Sequence, residues 1–95
     1  MNKISAAQIS TGSALKDRIR EIVSENGGLK LPLEEIKDST DLYRAGMTSY
    51  SSVLLMIALE NEFNLEFPDG MLSRDVFESV DAIAHAIESL LRVES

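Results

Sequence analysis

A chain of 95 residues, 44% of them hydrophobic, suffices for one small domain, and folding at this length buries only roughly 60 to 65% of the surface the unfolded chain exposes. The absence of cysteine excludes a disulfide framework and any thiolate supplied by the protein itself. A net charge of −7 argues against a nucleic acid or an anionic membrane as main partner, since both would be repelled, and favours a basic protein surface.

With 5% aromatic residues and no tryptophan, the core must be built from Leu, Ile, Val, Met and Ala, which suits helices better than a sheet. No basic segment followed by an apolar one opens the chain. The longest apolar run, VLLMIAL at 53 to 59, is far too short to span a bilayer. A monomer in the reducing cytoplasm is the simplest expectation.

Residues 1 to 12 are small and polar with little periodicity, as in a flexible N-terminal extension, and residues 13 to 95 are expected to form one domain. Leu15, Ile19, Ile22 and Val23 lie on one helical stripe, so a first helix is predicted over about 13 to 26, stopped by Asn26, Gly27 and Gly28. About twenty residues follow, long for a structureless connection. Leu29, Leu31, Leu33, Ile36, Leu42 and Tyr43 are placed to pin this loop across a helical core, with LEEI as a short turn.

A second helix is predicted from Thr48 or Ser49 to Glu62 or Phe63, stacking Leu55, Leu59 and Phe63 at intervals of four. Asn64 and then Pro68, Asp69 and Gly70 end it. MLSRDVFE is predicted to hold a short third helix. Ser79 caps a last helix to about Arg92, with Val80, Ile83, Ala84, Ile87, Leu90 and Leu91 as its apolar stripe. No strand alternation is present, so the expected class is all-α, a small bundle of three longer helices and one short one.

The second helix is apolar all round, whereas a helix at the edge of so small a bundle should have a polar back. With Leu55, Leu59 and Phe63 inward, either the long loop and the short third helix wrap this helix on a second side, or Tyr50, Val53, Leu54 and Ile57 form an exposed outer strip bordered by Glu60, suited to docking a partner. From Ala45 to Leu91 the chain carries eight acids against one base, Arg74. That half holds the whole net charge, either as a solvated face or as a complement to a basic partner.

Nucleophilic catalysis would need a serine with a positioned base, and the single histidine, His85, falls off the apolar stripe of its helix. No cluster with metal-ligand spacing occurs. No active site is expected. The start of the second helix does favour a negative group, through unpaired N–H groups and the helix dipole. Phosphate esterified to a serine there would be stabilised, while a helix cap from Thr48 or Ser49 explains the same residues without it. Gly46 is read as giving the backbone before the serine room to move and an enzyme room to approach.

Asp41-Leu42, Gly46, Ser49-Tyr50, Glu60 to Phe63 and Phe67-Pro68-Asp69 occur in an order and spacing that resembles the acyl carrier proteins and related carrier domains, over about Leu15 to Leu91. The resemblance implies a four-helix bundle of acyl-carrier type with 4′-phosphopantetheine, transferred from coenzyme A by a phosphopantetheinyl transferase, on Ser49. The missing cysteine is then supplied by the prosthetic thiol. Implied partners are that transferase, a loading ligase and a downstream acceptor enzyme, docking on Thr48, Tyr50, Val53, Leu54, Ile57 and Glu60. The protein would be a carrier and no enzyme.

Two positions depart from the common pattern: Thr48 stands where aspartate usually precedes the serine, and Leu54 fills an often acidic position. With GMTSYSSV and FPDGMLSRDVF, these departures are similar to the small bacterial aminoacyl carrier proteins, charged by stand-alone ligases resembling truncated seryl-tRNA synthetases. The cargo implied is a small amino acid such as glycine or alanine, activated with ATP. The alternatives are a fatty-acyl, polyketide or nonribosomal-peptide carrier, and, in other classes, an unmodified helical adaptor or a minimal hydrolase on Ser49.

Overall fold

The computed structural model describes the backbone of residues 12–94 and the side chains of residues 14–92. The expected N-terminal extension therefore lies outside the described residues, except for Gly12, which already belongs to the first helix. Three α-helices form the frame: α1 (Gly12–Asn26), α2 (Ser49–Phe63) and α3 (Val80–Glu94). Among the described residues there is no strand.

Helix α1 packs against both other helices. Its stripe of Leu15, Ile19, Ile22 and Val23 is buried against Leu55, Leu59 and Phe63 of α2 and Val80, Ile83, Ala84, Ala86 and Ile87 of α3 in one core. Two ion pairs fasten the same arrangement at its edges. Arg18 meets Glu62 through two hydrogen bonds of 2.9 and 2.8 Å, and Lys16 reaches Asp81 at 2.9 Å. The Arg18 guanidinium holds the Glu62 carboxyl below the usual carboxylate range, against an opposing push from partial burial.

The connection from α1 to α2 is pinned as the apolar pattern predicts. Ile36 and Leu42 are buried, Leu29, Leu31 and Tyr43 are half-buried, and only Leu33 is left exposed, at the start of a 3-10 turn, Leu33–Glu35. Met47, to which the sequence reading gave no role, is a further buried anchor at 4% exposure. The loop is also tied by its backbone: Lys30 N–H donates to Ala45 at 2.9 Å, Leu42 N–H to Glu78 at 2.8 Å, and Asp81 N–H to Asp38 at 3.0 Å.

One expected element is met only in part. Within residues 71–78 the short third helix is a four-residue 3-10 turn, Arg74–Phe77, after a smaller one at Asp69–Met71. The backbone that follows it is committed, because the Glu78 carbonyl accepts Leu42 N–H at 2.8 Å and the Ser79 hydroxyl caps α3 by accepting Ala82 N–H at 3.0 Å. The turn itself is closed by Val76 N–H on the Ser73 carbonyl at 3.2 Å. It delivers Phe77 to the core, edge-on to Phe67 with ring centroids 5.2 Å apart.

Two consequences are measurable. Leu59→Ala should cost about 3 kcal/mol in urea unfolding, whereas Leu54→Ala, at an exposed position of the same helix, should cost about 0.5 kcal/mol. Because its folded pKa is lowered, Glu62 adds stability that is present above its unfolded pKa and lost as pH falls through the folded one. Arg18→Gln should remove that contribution, about 0.5 kcal/mol for a pair this exposed, already at neutral pH, and flatten the acid-side decline.

Candidate functional site

The sequence offers five hydroxyls between residues 48 and 52, and the start of α2 assigns different work to them. Thr48 is the N-cap, with extended backbone, and its Oγ1 accepts Ser51 N–H at 3.1 Å. Ser51 Oγ in return accepts Thr48 N–H at 2.9 Å, which completes a reciprocal capping box. Ser51 is buried, and Ser52 donates its hydroxyl to the Ser49 carbonyl at 2.8 Å. The Ser49 and Tyr50 hydroxyls are left exposed, with no hydrogen-bond partner among the described residues.

Two glycines allow this start. Gly28, at φ +68°, passes beside Ser51, where an added Cβ would come 3.4 Å from the Ser51 Cβ. Gly46 is at φ +125°, and a Cβ there would lie 3.3 Å from the Gly28 carbonyl oxygen and from the Lys30 backbone nitrogen. The structure gives Gly46 a steric role: it is a tight crossing, in the loop before Ser49, that only glycine accepts without strain.

Past Ser49, α2 shows the expected outer strip: Tyr50 is 75% exposed, Val53 49%, Leu54 40% and Ile57 45%. Glu60, expected at the border of this strip, is half-buried and accepts the Phe67 N–H at 2.9 Å, so one of its oxygens serves the turn after α2. Glu62 and Asp81 are likewise engaged, by Arg18 and Lys16. The acidic surface is carried by Glu66, Asp69, Asp75 and Glu78, all exposed. His85 is exposed on α3. No group of metal-ligating side chains occurs among the described residues.

Beside Ser49 runs a groove of about 270 Å³, lined on the α2 side by Ser49, Ser52, Val53 and Met56 and opposite by Leu72, Arg74 and Phe77. Sequence reasoning missed this feature. Tyr43, which also lines it, was legible only as a loop anchor, and Leu72, 47% exposed, falls in a segment with no periodicity to flag it.

A buried core of three helices and two bracing turns, with one unengaged serine at the head of the middle helix, defines a carrier-type domain. The chain belongs to the family of proteins with a phosphopantetheine attachment site, which matches residues 17–87; the family carries 4′-phosphopantetheine as a covalent group. The chain is 44% identical to the aminoacyl carrier protein of Agrobacterium fabrum over 73 residues, covering 77% of this chain and 88% of that protein. Its fold is similar to a chain in the crystal structure of an engineered Bradyrhizobium japonicum glycine:[carrier protein] ligase complexed with carrier protein from Agrobacterium tumefaciens and ATP. There the TM-score is 0.76 at 41% identity, over 79% of this chain and 97% of that one. A solution structure from Agrobacterium tumefaciens is similar at TM-score 0.68 and 40% identity, over 83% of this chain and 95% of that one.

The division of labour among the hydroxyls is testable by stability alone. Thr48→Ala should lower the unfolding free energy by about 1 kcal/mol through loss of the cap. Ser49→Ala, at an unengaged hydroxyl, should stay within about 0.5 kcal/mol of the parent.

Proposed function

We propose that the protein is an aminoacyl carrier that bears 4′-phosphopantetheine on Ser49 and presents a small amino acid, glycine first among the candidates, to partner enzymes. The observation that carries this reading is the state of Ser49: an exposed, unbonded serine hydroxyl at the first position of α2, with its neighbours Thr48, Ser51 and Ser52 all engaged.

The residues suit the group. Its phosphodiester would sit at the positive end of the α2 dipole, and the groove beside Ser49 offers apolar wall from Val53, Met56 and Leu72. When bound, the group supplies the thiol that this cysteine-free chain lacks, and so holds an acyl group as a thioester. The chain's own part is to fix the attachment point and to present a docking face. Thr48 and Ser51 hold the helix start rigid, and Tyr50, Val53, Leu54 and Ile57 offer apolar contact at the serine's edge, with Thr48 and Glu60 at its borders.

The aminoacyl cargo rests on the likeness to the Agrobacterium aminoacyl carrier protein and to the structure of carrier protein with a glycine ligase. On this reading the chain is a substrate carrier and no enzyme. Residues 13–95 act as one carrier domain, a monomer working in the cytoplasm, and the Arg74–Phe77 turn takes the place of the short helix in a four-helix carrier bundle. Its partners are a phosphopantetheinyl transferase, a stand-alone aminoacyl ligase and an acceptor enzyme.

Intact-protein mass spectrometry tests both layers. Incubation with coenzyme A and a broad-specificity transferase should add one phosphopantetheine, and Ser49→Ala should abolish the gain. The modified protein, given ATP, a glycine:[carrier protein] ligase and single amino acids, should then gain one glycyl group by a hydroxylamine-sensitive bond. A mass gain that survives Ser49→Ala would sink the site; loading only by fatty acids with an acyl ligase would sink the cargo.

A further inference from the structure

Arg74 is the only base between Ala45 and Leu91, in a stretch with eight acids, yet it pairs with no carboxylate among the described residues. Its guanidinium instead lies over the Tyr43 ring, 3.9 Å from the centroid. Stacking of this kind fixes the plane of the guanidinium and leaves its in-plane N–H donors available. Both residues line the same groove as Ser49. An arginine held on an aromatic face, with its hydrogen-bonding edge unspent in an acidic neighbourhood, is set up for an anion.

We infer that Arg74 is a positioning residue for the phosphate of the arm. It receives the phosphodiester on Ser49 by charge-assisted hydrogen bonds and lays the arm along the groove, and Tyr43 holds the guanidinium in place for it. This rests on the reading of Ser49 as the attachment point.

The anion chemistry fits in detail. A phosphodiester carries one negative charge and two unesterified oxygens, which match the forked donors of an arginine better than the single point of a lysine. The α2 dipole acts on the same charge from the other side. Arg74 is exposed, so the contact is one the solvent weakens and an approaching partner can replace. The arm is thereby parked between encounters and released when a docking enzyme supplies its own cations.

The test uses the full-length protein in its unmodified and modified forms. In the parent, conversion with coenzyme A and transferase should shift the Arg74 Nε–H resonance, and the phosphorus resonance of the arm should be broader than that of free 4′-phosphopantetheine. Arg74→Gln should narrow the phosphorus line towards the free group and change its chemical shift. Tyr43→Leu should do the same with Arg74 intact, Tyr43→Phe should not, and Arg74→Lys should recover part of the effect. Amide spectra of each unmodified variant establish that it is folded.

The possible failures separate. No mass gain in the parent would overturn the Ser49 reading. Normal modification of both parent and Arg74→Gln, with an unmoved Arg74 resonance and identical phosphorus lines, would overturn the role of Arg74 alone. Modification that fails only in Arg74→Gln would assign Arg74 to transferase docking and overturn it equally.

Discussion

The reciprocal hydrogen bonds between Thr48 and Ser51 are the constraint on which the site depends. A helix start must satisfy its first N–H groups from outside the helix, and here two neighbouring side chains meet that demand and leave Ser49 spare. A start one residue later would make Ser49 the cap and engage its hydroxyl. The position of the box is set in turn by the loop behind it, where Gly46 at φ +125° crosses the Gly28–Lys30 backbone and Gly28 at φ +68° lies beside Ser51. The exposed serine is thus the product of a buried one.

The same helix resolves the problem of its own composition. Helix α2 is apolar all round because it presents two apolar faces, with Leu55, Leu59 and Phe63 turned to α1 and α3 and Tyr50, Val53, Leu54 and Ile57 outward. Met56 and Ala58 pack at the margins between them. Exposed apolar surface of this kind costs solubility. The exposed acids on the segments after α2 offset that cost.

Much of this was legible because helical periodicity reports burial directly. The stripes of α1, α2 and α3, the Ser79 cap and the pinned loop could all be read from apolar spacing and turn residues. What escaped depends on contacts between segments distant in sequence. The 3-10 turn at Arg74–Phe77 is followed directly by Glu78, whose carbonyl is taken by Leu42, 36 residues away in the chain, a contact that local sequence does not report. Gly46 was readable as glycine, but its tight crossing depends on Gly28 and Lys30. Choosing between Thr48 and Ser49 as the cap needed the reciprocal bond from Ser51. The choice of Ser49 came from the family resemblance; the hydrogen bonds show that Thr48, Ser51 and Ser52 are engaged.

The charges follow the same rule, since a count of acids does not say which of them are free to meet a partner. Glu62 and Asp81 are used to fasten α1, and Glu60 holds the turn after α2. The acids left exposed, Glu66, Asp69, Asp75 and Glu78, lie on the segments that follow α2, outside the apolar strip beside Ser49. Charges peripheral to a contact act chiefly on the rate of encounter, whereas the desolvated apolar centre governs how long the complex lasts. On the proposed reading the strip of four exposed apolar side chains is a small centre. Fast arrival with short residence is what a carrier needs when it must leave one enzyme in order to reach the next.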